Sequence, residues 1–146
     1  MFSIDAVNDP ERRDVVHARL RAANDARSPV LRALRESTQL NSEPLEVYAS
    51  GPDGALAGGL VGHTQFGWLH IDLLWVDEPY RGAGLGSRLV VRAEEIARNE
   101  RDCPRARVES WDFQAPGFYR RLGYRVAATV PDHPPGITDY LLVKEL

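Results

Sequence analysis

The segment Arg81-Gly82-Ala83-Gly84-Leu85-Gly86-Ser87 limits the possible folds of this chain more than any other stretch. Before it lies the strongest strand signal, Trp68 to Val76. After it, Leu85, Leu89, Ala93, Ile96 and Ala97 recur at helical spacing and predict a long amphipathic helix, ended by Cys103-Pro104. A strand handed through glycines into a helix calls for the two kinds of element to be layered, so the chain reads as α/β. Glycines in such a turn let successive backbone N–H groups approach an anion with no Cβ in the way. The helix start adds unpaired N–H groups and the positive end of its dipole. Arg81 brings a guanidinium fork suited to phosphate oxygens. Together these predict a pyrophosphate cradle. A Walker loop is excluded because Ser87-Arg88 follows Gly86 where Lys-Ser/Thr is needed. A dinucleotide-binding fingerprint fits poorly: Ser87 takes the place of its third glycine, and Asp77 to Arg81 separate the strand from Gly82, although Glu109 lies near the distance of a ribose-binding acid. On these residues alone, a turn merely shaped by its glycines also stays open.

The remaining elements follow from periodicity and punctuation. Phe2 to Val7 reads as a short strand. Asn8 or Asp9 is an N-cap and Pro10 a first helical residue, for a helix running to about Asn24 with Val15, Val16, Leu20 and Ala23 as its apolar side. Ser28-Pro29 opens a second short helix carrying Val30, Leu31 and Leu34. Leu45 to Ala49 and a strand ending near Phe66 flank the turn signal Pro52-Asp53-Gly54, and Gly58-Gly59 predicts a bulge. Arg105 to Ser110 is a further strand, about Pro116 to Leu122 a short helix stopped by Gly123, and Tyr124 to Val130 and Asp139 to Leu146 the last strands. The order β-α-α-β-β-β-α-β-α-β-β predicts mixed α/β layers in a single domain, 1–146, rather than a regular doubly wound sheet.

Composition narrows the function. A net charge of −3 gives no electrostatic basis for nucleic-acid binding. No apolar run approaches the ~18–20 residues needed to cross a bilayer, and Met1-Phe2-Ser3-Ile4-Asp5 shows no secretory leader. Cys103, the only cysteine, forms neither an internal disulfide nor a cysteine metal site. A cytoplasmic protein without membrane or nucleic-acid partners is expected.

At this point the sequence closely resembles the general N-acetyltransferase (GNAT) superfamily. The family's acyl-coenzyme A signature, Gln/Arg-x-x-Gly-x-Gly/Ala after its fourth strand, is matched by Arg81, Gly84 and Gly86. A second block, Ala115-Pro116-Gly117-Phe118-Tyr119-Arg120-Arg121-Leu122-Gly123-Tyr124, resembles the family's downstream motif. The resemblance covers about Trp68 to Tyr124 by motif and the rest by element order. It implies a central, mostly antiparallel sheet splayed after the fourth strand, and acyl transfer from acetyl-CoA as co-substrate to a primary amine, with no metal. By the same resemblance, the backbone of Leu74, Trp75 and Val76 bonds the pantetheine arm, an N–H nearby polarises the thioester carbonyl, and the N–H groups of Gly82 to Ser87 hold the pyrophosphate. Tyr119 matches the motif tyrosine that often reaches the coenzyme A sulfur as general acid. Family members often pair, so a homodimer is implied by kinship and by no residue of this chain.

A lysine-like amine, with a pKa of ~10.4, arrives protonated and must lose a proton before attack. Alternation along Trp68 to Val76 puts Leu69, Ile71, Leu73 and Trp75 on one apolar face and His70 and Asp72 on the other. His70 is therefore a candidate base that Asp72 orients or assists through water, and both positions resemble places where the family carries a base. A mutually satisfied or solvent-facing pair explains them equally. Glu109 is a further candidate, beside Arg107 as a surface acid. The family's asparagine before the short helix aligns with Asp112, which leaves that contact in doubt. On the short helix, Phe118 and Leu122 are expected to be buried, with Tyr119 on the neighbouring face turned to the cofactor slot. Trp111, Phe113 and the Pro131-to-Gly136 loop with His133 are candidates for the acceptor pocket. The acceptor expected is a small-molecule amine such as a polyamine, drug or amino acid. Acetylation of protein N-termini or lysines, and a non-catalytic acyl-CoA sensor, are the alternatives.

Overall fold

The computed structural model describes residues 1–146, which form two compact units, Met1–Gln39 and Leu40–Leu146. In the first, helix α1 spans Pro10–Arg27 and α2 spans Pro29–Arg35. Both start as the sequence dictates: the Asp9 carboxylate accepts the N–H of Arg12, the Ser28 hydroxyl accepts that of Leu31, and a proline sits in each first turn. An ion pair from Arg35 Nε to Asp25 at 2.7 Å ties the two helices together. The strand expected over Phe2 to Val7 is absent. Residues 1–9 are irregular and Phe2 stands 97% exposed. A strand persists only against a neighbour that satisfies its N–H and C=O groups, and no strand pairs with this segment.

The second unit holds strands β1 (Glu43–Ser50), β2 (Leu56–Gln65), β3 (Trp68–Val76), β4 (Arg105–Trp111), β5 (Arg125–Val130) and β6 (Asp139–Glu145), with helices α3 (Leu85–Glu100) and α4 (Pro116–Arg121). They build one six-stranded sheet in the order β1-β2-β3-β4-β6-β5. Only the β3–β4 pair is parallel; all others are antiparallel. Mixed α/β layers around a mostly antiparallel sheet are therefore observed as expected. Helix α3 lays Leu89, Val90, Ala93 and Ala97 on a core that includes Leu45, Leu60, Leu69, Ala106, Val108 and Leu142. Full burial of each Leu or Val contributes ~1.5–3 kcal/mol. Beyond the helix, the Arg101 guanidinium donates to the carbonyls of Glu43 and Pro44 and to the Thr64 hydroxyl, which pins this end to β1 and β2. Cys103 is buried, and burial holds its thiol above the usual range. An inert, structural thiol results.

Two acidic residues are buried, Glu94 and Asp139, and the first belongs to α3. Glu94 of α3 is buried and pairs with Lys144 of β6 at 2.6 Å, while its second oxygen and the buried Tyr124 hydroxyl have no partner. Burial, as the largest influence, raises the Glu94 carboxyl above the usual range against the opposing pull of Lys144. Lys144→Met leaves that carboxylate without its cation and is expected to cost ~3 kcal/mol at pH 7, read as a lower midpoint in urea unfolding. Since the folded-state pKa is raised, the deficit shrinks as pH falls through it, because the protonated acid needs no cation. A deficit that stays constant down to pH 4 would assign the loss to packing on Tyr124 instead.

Two backbone features position the site. The β2–β3 hairpin turns on Phe66 and Gly67, both with left-handed φ (57° and 75°). Its register runs His63↔His70, Gly62↔Ile71 and then Val61↔Leu73, leaving Asp72 as an unmatched bulge residue. Gly62 is required here, because a Cβ would collide with the His70 carbonyl oxygen. The bulge reverses the strand's alternation: Leu69 and Ile71 are buried, Leu74 and Val76 pack on the same core, and Leu73 and Trp75 are 65% and 46% exposed. The single apolar face expected from Leu69, Ile71, Leu73 and Trp75 is thus broken at Asp72. The irregularity expected at Gly58-Gly59 falls beside it, where Ala49↔Gly58 and Ser50↔Leu56 skip Ala57. The second feature is a splay. Pairing of β3 with β4 stops at Ile71↔Val108, so Leu73 to Val76 keep β2 on one edge and no strand on the other.

Candidate active site

The glycine-rich turn stands at the open end of β3. Gly82 and Gly84 have φ of 78° and 81°, which a residue bearing Cβ adopts only with strain. Ala83 lies between them. Gly84 is also the N-cap of α3, and unlike Asp9 and Ser28 it supplies no side-chain acceptor. The first-turn N–H groups of Leu85, Gly86 and Ser87 are therefore committed to no side chain, and the earliest helical bond is from Arg88 N to Gly84 O. Uncapped amides at the positive end of a sixteen-residue helix are a ready anion site.

A cleft of about 360 Å³ opens onto these amides, lined by Val76, Arg81, the glycines, Ser87, Phe118 and Arg121. Arg81 Nε donates to the Val76 carbonyl at 2.9 Å, so its fork both staples the turn to β3 and carries positive charge at the rim. Arg121 is a second cation that the sequence reading passed over. It stands three residues after Phe118 on α4, hence on the same helix face, and that spacing was the available signal. Two guanidinium groups and a run of free amides fit a diphosphate, and the apolar end at Val76 and Phe118 fits what the diphosphate is attached to.

Helix α4 reverses the burial expected, with the Tyr119 ring inward and Phe118 on the cleft, although the Tyr119 hydroxyl, unlike that of Tyr124, is not sealed off. Phe118 meets the glycine turn, 3.4 Å from where a Cβ on Gly86 would lie. Tyr119 is the buried residue, 5% exposed, held edge-on between the rings of Phe118 (5.1 Å) and Tyr124 (5.5 Å). Burial pushes its phenol up to about 12. With only six residues in α4, the faces are set by these three aromatic contacts rather than by periodicity.

His70 and Asp72 are not bonded to each other. Asp72 Oδ2 instead accepts from His63 Nδ1 at 2.8 Å, and the His63 ring stacks on His70 with centroids 4.5 Å apart. His70 Nε2 lies 3.3 Å from the Gln65 carbonyl. Burial first, then the neighbouring His63 and Arg107, hold His70 below the usual imidazole range. The bulge is the reason: taken out of register, Asp72 reaches across to β2. Glu109 is exposed and lies 3.8 Å from Arg107, as a surface acid would. The Asp112 carboxylate accepts the N–H of Thr138, which commits it to the loop. Trp111 and Phe113 are exposed and pair at 5.9 Å.

Known proteins share both sequence and architecture. The family model described as acetyltransferase (GNAT) family matches residues 14–124. Blasticidin-S acetyltransferase of Streptomyces morookaense is 64% identical over 131 residues, which is 88% of this chain and 96% of that protein. An acetyltransferase crystal structure from Bacillus cereus superposes with a TM-score of 0.81 at 30% identity, over 99% of this chain and 98% of the other. The PaiA N-acetyltransferase of Thermoplasma acidophilum, solved with coenzyme A, shares the fold alone, with a TM-score of 0.62 at 22% identity over 75% and 65% of the two chains. A splayed strand, an uncapped glycine turn and a full-length match to acetyltransferases converge on one conclusion: the chain is an acetyltransferase and belongs to the GNAT family.

Proposed function

We propose that this enzyme moves an acetyl group from acetyl-CoA directly to a primary amine of a small molecule, and that blasticidin S is its acceptor. The observation that carries the acceptor is identity to the blasticidin S enzyme at 64% across nearly the whole of that protein. The cradle supports the donor. In this reading Leu85, Gly86 and Ser87 N–H groups and the Arg81 and Arg121 guanidiniums hold the diphosphate, and the free edge of Leu74 to Val76 receives the pantetheine arm. Tyr119 gives the departing sulfur its proton, and the cluster of His63, His70 and Asp72 serves the amine. Acetyl-CoA incubated with blasticidin S is expected to release free coenzyme A thiol and a singly acetylated product by mass spectrometry. Thiol release with lysine peptides or polyamines and none with blasticidin S would reassign the acceptor.

A further inference from the structure

We propose that His63, rather than His70, takes the proton from the acceptor amine, with Asp72 as its positioning residue. This rests on the acetyl-transfer reading above and names the base within it. A carboxylate only accepts, so the 2.8 Å contact to Asp72 Oδ2 places the hydrogen on His63 Nδ1 and leaves the lone pair on Nε2. That is the tautomer a general base needs, fixed by a partner on the far nitrogen. His70 has a weaker, neutral partner, the Gln65 carbonyl at 3.3 Å, against the 2.8 Å carboxylate contact of His63. The His70 Nε2 faces that carbonyl and so carries the hydrogen.

Electrostatics separates the two rings further. Imidazoles stacked at 4.5 Å do not both charge readily, so one of them takes the proton. A cation on His63 rests against Asp72. A cation on His70 meets Arg107 from β4 as well as burial, both of which oppose it. From β1, the residue opposite His63 is Pro44, which carries no charge, and Glu46 two positions on is bonded to the Tyr48 hydroxyl. Asp72 thus faces His63, whereas Arg107 faces His70. The place of His63 is also apt: the bulge that re-aims Asp72 begins where β3 and β4 part, at the mouth of the splay.

The proton count closes. The ammonium gives one proton to His63 Nε2, and the freed lone pair forms the N–C bond to the thioester carbonyl. The C–S bond breaks with its electron pair on sulfur, which takes a proton from Tyr119. The second proton on the new amide nitrogen replaces the one Tyr119 gave, and His63 returns its own to solvent.

The test is kcat/KM for blasticidin S against pH, for wild type and His63→Gln, with coenzyme A affinity measured alongside. The expected result is a ~100-fold loss at pH 7 that narrows steadily towards pH 10, where the amine deprotonates unaided, with coenzyme A affinity unchanged. The size sits at the low end for proton transfer because His63 is partly exposed and water substitutes for it. No loss, or a loss of equal size at every pH, overturns the proposal. Independently of turnover, ¹⁵N NMR of the wild type should show His63 as the Nδ1–H tautomer, and Asp72→Asn should remove that bias. An Nε2–H tautomer in the wild type overturns it even if the variant does not fold. Wild-type enzyme that releases no coenzyme A with any amine sinks the acetyl-transfer reading itself, and this proposal with it.

Discussion

Gly84→Val is expected to weaken coenzyme A binding about 1,000-fold while leaving the protein folded. Gly84 sits at a φ of 81° as the N-cap of α3, a conformation that costs a β-branched residue ~1–3 kcal/mol. The turn relieves that strain by rotating, and the amides of Leu85, Gly86 and Ser87 rotate with it. Each hydrogen bond to a charged group is worth ~1.5–3 kcal/mol, so losing two removes ~4 kcal/mol, or about three decades of affinity. The packing of α3 lies further along, at Leu89, Val90, Ala93 and Ala97, and the thermal midpoint should fall by only a few degrees. Calorimetric titration checks the first number and circular dichroism the second. An unchanged dissociation constant would mean that the diphosphate is held elsewhere.

Tyr119→Phe is expected to lower kcat by ~1,000-fold with little change in the KM for acetyl-CoA. General acid catalysis contributes ~10²–10⁴-fold, and the middle of that range suits a phenol that water reaches poorly. Phenylalanine keeps the edge-on contacts to Phe118 and Tyr124, so stability is preserved and the loss is chemical. Because burial raises the phenol to about 12, it stays protonated, and able to donate, across the working range. The wild-type rate should therefore show no alkaline fall from this group below about pH 10. Full activity in the variant reduces Tyr119 to a core residue.

What the sequence disclosed follows the range of the interactions involved. The glycine turn, the amphipathic face of α3 and the proline-marked helix starts at Pro10 and Pro29 are local, and each was legible. The outcome at Tyr119 was not. Phe118 and Tyr119 are adjacent aromatics on a six-residue helix, and only the approach of Gly86 and Tyr124 decides which one turns inward. The bulge at Asp72 arises from two strands meeting, and the tandem Leu73-Leu74 is its only trace in one of them. Its consequence, the His63–Asp72 pair, was partly readable: a hairpin centred on Phe66-Gly67 puts His63 opposite His70. Phe2 to Val7 carries strand-forming residues, but pattern alone provides no partner strand.

The grip of main-chain amides on a diphosphate can be watched residue by residue. Backbone ¹H–¹⁵N shifts recorded during titration should show Leu85, Gly86 and Ser87 moving strongly with coenzyme A and staying near their free positions with pantetheine, which lacks the diphosphate. Amides at these three positions that ignore coenzyme A, while others in the chain respond, would contradict the account.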